Sequence, residues 1–188
     1  MKINLIILAS GNSKRFNGNK LLTEFKDKKL YLHTFDKIKN IQDKFNQVIV
    51  VTQYEEIYDT AISYGFTAIL NNESHKGISN SIKLGISRDL TAKGYMFMVC
   101  DQPNISEETL RILIDKFVEG NKGICSVAYS DRLGNPNIFS RRYIDELLAL
   151  DGDIGGKAVI KNHLNDLDIV YLKSEIELKD IDTREDLC

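Results

Sequence analysis

The sequence has 188 residues, of which 43% are hydrophobic and 28% are charged, and its formal net charge is −2. These values favour a single globular domain over residues 1–188 and exclude a disordered chain. Because lysine and arginine are scattered and the chain is slightly acidic, it has no electrostatic means of holding a long nucleic acid.

Apolar runs alternate with amphipathic segments along the chain. Near-continuous apolar runs predict strands buried on both faces, at Ile3–Ala9, Gln47–Thr52, Thr67–Leu70, Tyr95–Cys100 and Gly123–Tyr129. Two shorter candidates are Ile169–Leu172 and Lys179–Ile181, the second an edge strand. Helical periodicity predicts helices at Leu30–Ile41, Glu55–Tyr64, Ser79–Asp89, Glu107–Glu119, Arg142–Leu150 and Gly155–Leu164.

This alternation of strands and helices indicates an α/β fold, with a mostly parallel sheet covered by helices on both sides. Ser106 is the predicted N-cap of the helix at Glu107–Glu119. In such a sheet, ligands bind beyond the carboxyl ends of the strands. The residues that follow each strand are therefore the candidates for chemistry.

The first apolar run, Ile3–Ala9, is too short for a signal peptide, and no stretch reaches the length of a membrane span. Cys100, Cys125 and Cys188 lie far apart, without the spacing of a zinc site. The first two fall in apolar runs, which predicts buried reduced thiols. We therefore expect a cytoplasmic protein that does not act at membranes.

The loop Ser10–Lys20 follows the first strand and has the composition of a phosphate-binding loop. Gly11 and Gly18 permit positive φ and a close approach to a ligand. Arg15 and Lys20 supply positive charge for phosphate oxygens. The loop is neither a Walker A motif nor GxGxxG, and the second absence argues against a dinucleotide-dependent dehydrogenase.

Asp101 directly follows the strand Tyr95–Cys100 and precedes Gln102 and Pro103. A carboxylate at this edge of the sheet, near a phosphate loop, predicts a ligand of Mg²⁺, which prefers few carboxylates together with phosphate oxygens and water. A turn-forming or N-capping role is the alternative.

Several later segments add candidates with open alternatives. Ser79 or Ser81 could cap a helix whose N–H groups face a ligand. Asp153 is interpreted as the cap of the helix that follows it, and a role in the site is the alternative. Alternation places Asp180 and Asp182 on one side of an extended segment, and Asp182 could instead cap a final helical turn. Single histidines without metal spacing are not proposed as catalytic.

The motifs resemble those of the MobA-like NTP transferases, and in particular the molybdenum cofactor cytidylyltransferases. LASGNSKRFNGNKLL is similar to their LAAGxSxRMGxxKLL, with Ser10 and Phe16 as departures. DQP at Asp101 matches the motif of the cytidylyltransferase branch, whereas the guanylyltransferase branch more often has DMP. DIDTREDL is similar to DIDTPEDL, with Arg184 in place of Pro.

Weaker matches lie between these motifs. The segment Lys76–Gly85 resembles GxSxSxxxG beside the nucleotide, and Gly134–Phe139 resembles GxPxxF near the acceptor. The segment around Asp153 is similar to GDxGxR, but Lys157 replaces the usual Arg and lacks its bidentate fork. This departure argues against a phosphate-binding role for Lys157.

The resemblance implies a Rossmann-like three-layer sandwich of the nucleotide-diphospho-sugar transferase type. It implies nucleotide contacts at Leu8, Ala9, Ser10, Gly11, Arg15, Lys20 and Ser81. Arg15, Lys20 and Asp101 are the implied catalytic residues, and Asp101 and Asp182 the implied ligands of Mg²⁺.

It further implies transfer of CMP from CTP to the phosphate of a molybdopterin-type acceptor. Three alternatives stay open: a guanylyltransferase for the same cofactor, a cytidylyltransferase for a sugar or polyol phosphate, and a non-catalytic carrier that delivers the cofactor to a molybdenum hydroxylase.

Overall fold

A computed structural model describes residues 2–13, 16 and 18–187. Its strands are β1 (Ile3–Ala9), β2 (Glu24–Phe25), β3 (Lys28–Lys29), β4 (Phe45–Thr52), β5 (Thr67–Leu70), β6 (Gly94–Val99), β7 (Ile124–Tyr129), β8 (Arg132–Ser140) and β9 (Leu167–Tyr171). Its α-helices are α1 (Leu30–Asn40), α2 (Glu55–Ser63), α3 (Ile78–Ser87), α4 (Glu107–Glu119), α5 (Ile144–Ala149) and α6 (Lys157–Asn162).

The main sheet has seven strands in the order β5-β4-β1-β6-β8-β7-β9, and β2 and β3 form a separate small ribbon. All neighbours in the main sheet pair in parallel except β8, which is antiparallel to both β6 and β7. The mostly parallel sheet predicted from the alternating pattern is thus confirmed.

Alternate residues of β1 enter two different hydrophobic cores, because successive side chains of a strand point to opposite faces. Ile3, Leu5 and Ile7 pack in the core that contains residues of α1, α2 and α4. Ile6 and Leu8 pack in the core that contains residues of α3, α5 and α6. The helices therefore form one layer on each face, giving the predicted three-layer sandwich.

The predicted bounds are accurate where the sequence signals are local. β1, β5 and α4 begin and end at the predicted residues. The Ser106 hydroxyl accepts a hydrogen bond from the Thr109 N–H at 3.0 Å, which confirms the predicted cap. Cys100 and Cys125 are buried free thiols, as predicted, and burial raises the pKa of Cys125 to about 12. Cys188 lies outside the described residues.

One predicted strand is absent from the described residues, and one observed strand was not predicted. Lys179–Ile181 is not a strand: the edge strands of the main sheet are β5 and β9, and the Ile181 N–H donates to the Asp101 carbonyl at 2.8 Å. The segment Gly134–Phe139, which resembles GxPxxF, lies within the long strand β8, which was not predicted. Among the described residues, no helix is both long and apolar enough to cross a membrane.

Candidate active site

The carboxyl ends of four parallel strands, β1, β4, β5 and β6, lie at one edge of the sheet. The loop after β1 is tied to the turn after β4 by side chains of that turn. The Gln53 amide donates to the Ser10 carbonyl at 2.8 Å, and the Tyr54 hydroxyl donates to the Gly11 carbonyl at 2.6 Å. These tethers fix the start of the loop at the cleft wall.

Gln53 and Tyr54 were not predicted as site residues, because two polar residues after a strand are also typical of an ordinary turn. Gln53 also accepts a hydrogen bond from the Ser74 hydroxyl at 2.9 Å, so it joins the walls on both sides of the cleft. The Ser10 hydroxyl donates to the Val51 carbonyl at 3.0 Å. Ser10, which stands where the motif has Ala, therefore helps to hold the loop against β4.

The rest of this loop only partly follows the sequence prediction. Gly18 has a φ of +145°, as predicted, and Ser13 has a φ of +49°. Gly11 does not have a positive φ, but a Cβ there would meet no atom within 4 Å, so its predicted freedom for a close ligand stands. Arg15, predicted to hold phosphates, lies outside the described residues.

Lys20 lies between two carboxylates that are distant in the sequence. Its Nζ is 2.7 Å from Asp101 Oδ2 and 2.9 Å from Asp182 Oδ1. The Lys20 side chain is only 11% exposed. Burial acts to lower the pKa of Lys20, but the attraction and hydrogen bonds of Asp101 and Asp182 outweigh it and hold the pKa above its usual value. The ammonium is therefore charged at neutral pH.

A cleft opens beside this lysine, made of two adjoining cavities of about 190 and 280 Å³. One cavity, the apolar end, reaches Leu8, Ile78 and Val99. The other, the polar end, reaches Ser13, His75 and Asp182. Residues that line both cavities form the junction, and they are Gly11, Asn12, Lys20, Ser74, Asp101 and Asp153.

Ser81 lines the apolar end, but it does not cap α3. The N-cap of α3 is Gly77, with no side-chain cap, so the predicted capping role of Ser79 or Ser81 was wrong. The Ser81 hydroxyl accepts a hydrogen bond from the buried Asn71 amide at 3.0 Å. Leu8, Ser10 and Gly11 also line this end. Ala9, predicted beside them, is fully buried within β1 and does not line either cavity.

Asp153 also lies in the cleft, contrary to the prediction that it caps the following helix. The N-cap of α6 is Gly156, because the loop continues past Asp153 before the helix begins. Lys157 is the exposed first residue of α6 and lines neither cavity. The segment Gly134–Phe139 also lines neither.

The C-terminal segment brings two more carboxylates to Asp101. Gln102 is 7% exposed, and its amide donates to Asp180 Oδ1 at 2.8 Å. Desolvation and the charges of Asp101 and Asp182 raise the pKa of Asp180, and the Gln102 hydrogen bond opposes that rise. Asp182 and Thr183 donate their N–H groups to the Asp186 carboxylate, so Asp186 organises this final turn. The negative charge gathered here suits a bound cation.

The two carboxylates beside Lys20 fit a magnesium ion, but only with help from a substrate. Asp101 Oδ1 is buried and accepts no hydrogen bond from the described residues. Within the described part of the chain, no group of three or more His, Cys, Asp or Glu side chains is arranged to hold a metal. A cation here would take carboxylate oxygens from Asp101 and Asp182 and complete its shell with phosphate and water, as Mg²⁺ prefers.

A family model described as the MobA-like NTP transferase domain matches residues 5–167 of the chain. A probable molybdenum cofactor guanylyltransferase of Thermococcus sibiricus is 28% identical over 121 residues, which are 64% of this chain and 58% of that protein. A molybdenum cofactor guanylyltransferase of Syntrophotalea carbinolica is 25% identical over 150 residues, 80% of this chain and 67% of that protein. The chain thus spans about three fifths to two thirds of these curated relatives.

A relative that aligns over most of its length is the purine catabolism protein PucB of Bacillus subtilis, 26% identical over 96% of this chain and 92% of that protein. Among solved structures, Rv0371c of Mycobacterium tuberculosis superposes with a TM-score of 0.80 and 24% identity, covering 99% of this chain and 95% of that one. A CMP:2-keto-3-deoxy-manno-octonic acid synthetase complexed with CTP superposes with a TM-score of 0.74 and 13% identity, covering 100% and 95%. These likenesses confirm the predicted fold type.

Proposed function

The chain belongs to the MobA-like NTP transferase family, and from that premise we propose that it transfers a nucleoside monophosphate from an NTP to the phosphate of a molybdopterin-type acceptor. The observation that carries the proposal is Lys20, held charged between Asp101 and Asp182 at the edge of the sheet where the cleft opens. Together these groups supply the cation and the carboxylates that phosphoryl-type transfer needs.

The shape of the cleft supports one orientation of the nucleotide. The apolar end, with Leu8, Ile78 and Val99, offers surfaces that a base can pack against. The polar end, with Ser13 and Lys20, offers donors and charge for the phosphates. Arg15 is proposed to join them there, as the sequence motif predicts.

In the proposed reaction, an oxygen of the acceptor phosphate attacks the α-phosphorus of the NTP. The bond from that phosphorus to the bridging oxygen of the β-phosphate breaks, and pyrophosphate leaves with the bonding electrons. A phosphate is largely ionised at neutral pH, so the reaction does not depend on a strong base from the protein. Lys20 would exchange its carboxylate contacts for the phosphates and stabilise the charge that develops on pyrophosphate.

Mg²⁺ bound by Asp101 and Asp182 would neutralise charge on the phosphate oxygens and help to orient them. Lys20 now occupies the space between these two carboxylates. We therefore expect Lys20 to move onto the phosphates of a bound NTP, which would make the oxygens of Asp101 and Asp182 more available to a cation.

Two observations bear on the identity of the NTP donor, and they favour different nucleotides. Relatives named as molybdenum cofactor guanylyltransferases support GTP. The sequence motif around Gln102 favours CTP, but the Gln102 side chain is buried and contacts Asp180 rather than the cleft. GTP is therefore the better supported donor, and CTP stays a prediction from the motif.

Purified protein should release pyrophosphate only when an NTP, Mg²⁺ and molybdopterin are present together. GTP, CTP and ATP are compared in parallel, and mass spectrometry identifies the dinucleotide product. Binding of nucleotide without release of pyrophosphate would favour the non-catalytic carrier that delivers cofactor to a molybdenum hydroxylase. Activity with a sugar or polyol phosphate in place of molybdopterin would favour the cytidylyltransferase alternative.

We expect Gln102→Met to leave the ratio of GTP to CTP use unchanged, because Gln102 does not line the cleft. It should lower the free energy of unfolding by about 1 kcal/mol, since Asp180 loses a hydrogen bond. Urea denaturation measures the stability, and the nucleotide panel measures the ratio. A clear swing in the ratio toward one nucleotide would contradict this account of the motif.

A further inference from the structure

Asp153 is a carboxylate at the junction of the two ends of the cleft, where Lys20 and Asp101 also lie. Across the described residues, its side chain makes no hydrogen bond and no ion pair. Asp153 does not cap α6, whose N-cap is Gly156. The position of Asp153 in the cleft therefore points to contact with a bound ligand.

The backbone around Asp153 is fixed against the start of α3. The Ser79 N–H donates to the Gly152 carbonyl at 3.1 Å. A Cβ on Gly77 would lie 2.3 Å from the Gly152 carbonyl carbon, so only glycine allows the two backbones to approach this closely. Gly77 and Gly152 both have positive φ, at +89° and +59°. The backbone that carries Asp153 is thus held at the cleft wall by close packing against the start of α3.

A free carboxylate in a cleft that takes a triphosphate repels the ligand unless it meets hydrogen-bond donors. A shared metal does not account for it, since Asp153 forms no three-residue metal group with Asp101 and Asp182 within the described chain. Neutral hydrogen-bond donors of the ligand would remove this repulsion. A carboxylate has two acceptor oxygens and suits a pair of neighbouring hydroxyls.

In a nucleotide, the ribose joins the base to the α-phosphate. With the base at the apolar end and the phosphates at the polar end, the ribose falls at the junction, where Asp153 lies. Carboxylates recognise ribose hydroxyls in this way in other nucleotide-binding folds.

We propose that Asp153 accepts hydrogen bonds from the ribose hydroxyls of the bound NTP and so selects ribonucleotides over deoxyribonucleotides. The inference rests on the proposed function, because it needs an NTP in the cleft. It does not depend on which base the NTP carries.

The test measures binding by calorimetry in the presence of Mg²⁺ and without acceptor. GTP, 2′-deoxy-GTP and 3′-deoxy-GTP are compared with their cytidine counterparts, for the wild-type protein, Asp153→Ala and Asp151→Ala. Asp151 is an exposed carboxylate in the same loop that lines neither cavity, so its variant removes the same charge outside the cleft.

The wild-type protein and Asp151→Ala should bind the ribonucleotide about tenfold more tightly than a deoxynucleotide. Asp153→Ala should bring that ratio close to one, by weakening binding of the ribonucleotide while the deoxynucleotides bind as before or more tightly. An unchanged ratio in Asp153→Ala would overturn the inference and leave the proposed function intact.

Two further measurements separate ribose recognition by Asp153 from a role in metal binding and from failure of the proposed function. Mn²⁺ affinity without nucleotide is measured by electron paramagnetic resonance, and a loss in Asp153→Ala would assign the residue to the metal and overturn the inference. Failure of the wild-type protein to bind any NTP would overturn the proposed function and the inference with it.

Discussion

Replacing Lys20 with methionine is expected to lower kcat by roughly 10²–10³-fold at saturating NTP, the loss seen when one preorganised group that stabilises developing charge is removed. Lys20 lies at the junction of the cleft, and its Nζ is held by Asp101 and Asp182. Methionine has a similar length but carries no charge, so the change removes the ammonium and little else.

The reaction is followed by pyrophosphate release under the conditions that give the best rate for the wild-type protein. Lys83→Met is the matched control, because Lys83 lies on α3 and lines neither cavity. Circular dichroism checks that both variants are folded. Near-normal turnover by Lys20→Met would exclude the proposed role, and an equal loss in Lys83→Met would point to a general effect of charge.

The same variant has a second expected property that follows from its ion pairs. Without the ammonium, Asp101 and Asp182 lose a shared partner and their oxygens become more available to a cation. Lys20→Met should therefore bind Mn²⁺ more tightly than the wild-type protein when no nucleotide is present. This separates loss of charge stabilisation from damage to the metal site, which would weaken Mn²⁺ binding.

The fold was predictable where the sequence carries local periodic signals. β1 and α4 have continuous patterns with clear ends, and both match the structure. β8 was missed because Gly134, Asn135 and Pro136 interrupt its apolar pattern, although all three lie within the strand. Its antiparallel direction between β6 and β7 comes from tertiary pairing, which no local signal records.

The candidate site, like the fold, was predictable only in part. Lys20 and Asp101 could be named from their positions after β1 and β6, since the edge of a parallel sheet gathers such residues. Their contact with each other and with Asp182 joins segments 81 and 162 residues apart, so its geometry could not be derived from spacing. Asp153 was misassigned because an Asp shortly before a helix is also the signature of a cap.

Gln53 shows most clearly which contacts of the site cannot be predicted from the sequence. Its amide and carbonyl link Ser10 to Ser74, residues of two different loops. A glutamine after a strand has no distinctive pattern, because its role depends on loops that meet only in the folded chain.

Asp101→Ala is expected to abolish turnover at saturating NTP, and Asp101→Asn to reduce it by at least about 10²-fold, because each removes the charge proposed to hold Mg²⁺ beside the phosphates. Asp101 suits this role because its Oδ1 is buried and accepts no hydrogen bond from the described residues, while its Oδ2 contacts Lys20. Asparagine preserves the size of the side chain, so it separates the charge from the packing. Asp131→Asn, an exposed carboxylate between β7 and β8 that lines neither cavity of the cleft, is the control.

Binding of Mn²⁺ and of nucleotide distinguishes the metal role from a purely structural one. Asp101→Asn should bind Mn²⁺ more weakly in the presence of NTP, while thermal unfolding shows a folded protein. If excess Mg²⁺ restored full turnover, Asp101 would contribute affinity for the ion but not its position during transfer. If turnover were normal at ordinary Mg²⁺, the carboxylate would have no part in the reaction, and its contact with Lys20 would serve only to hold the walls of the cleft together.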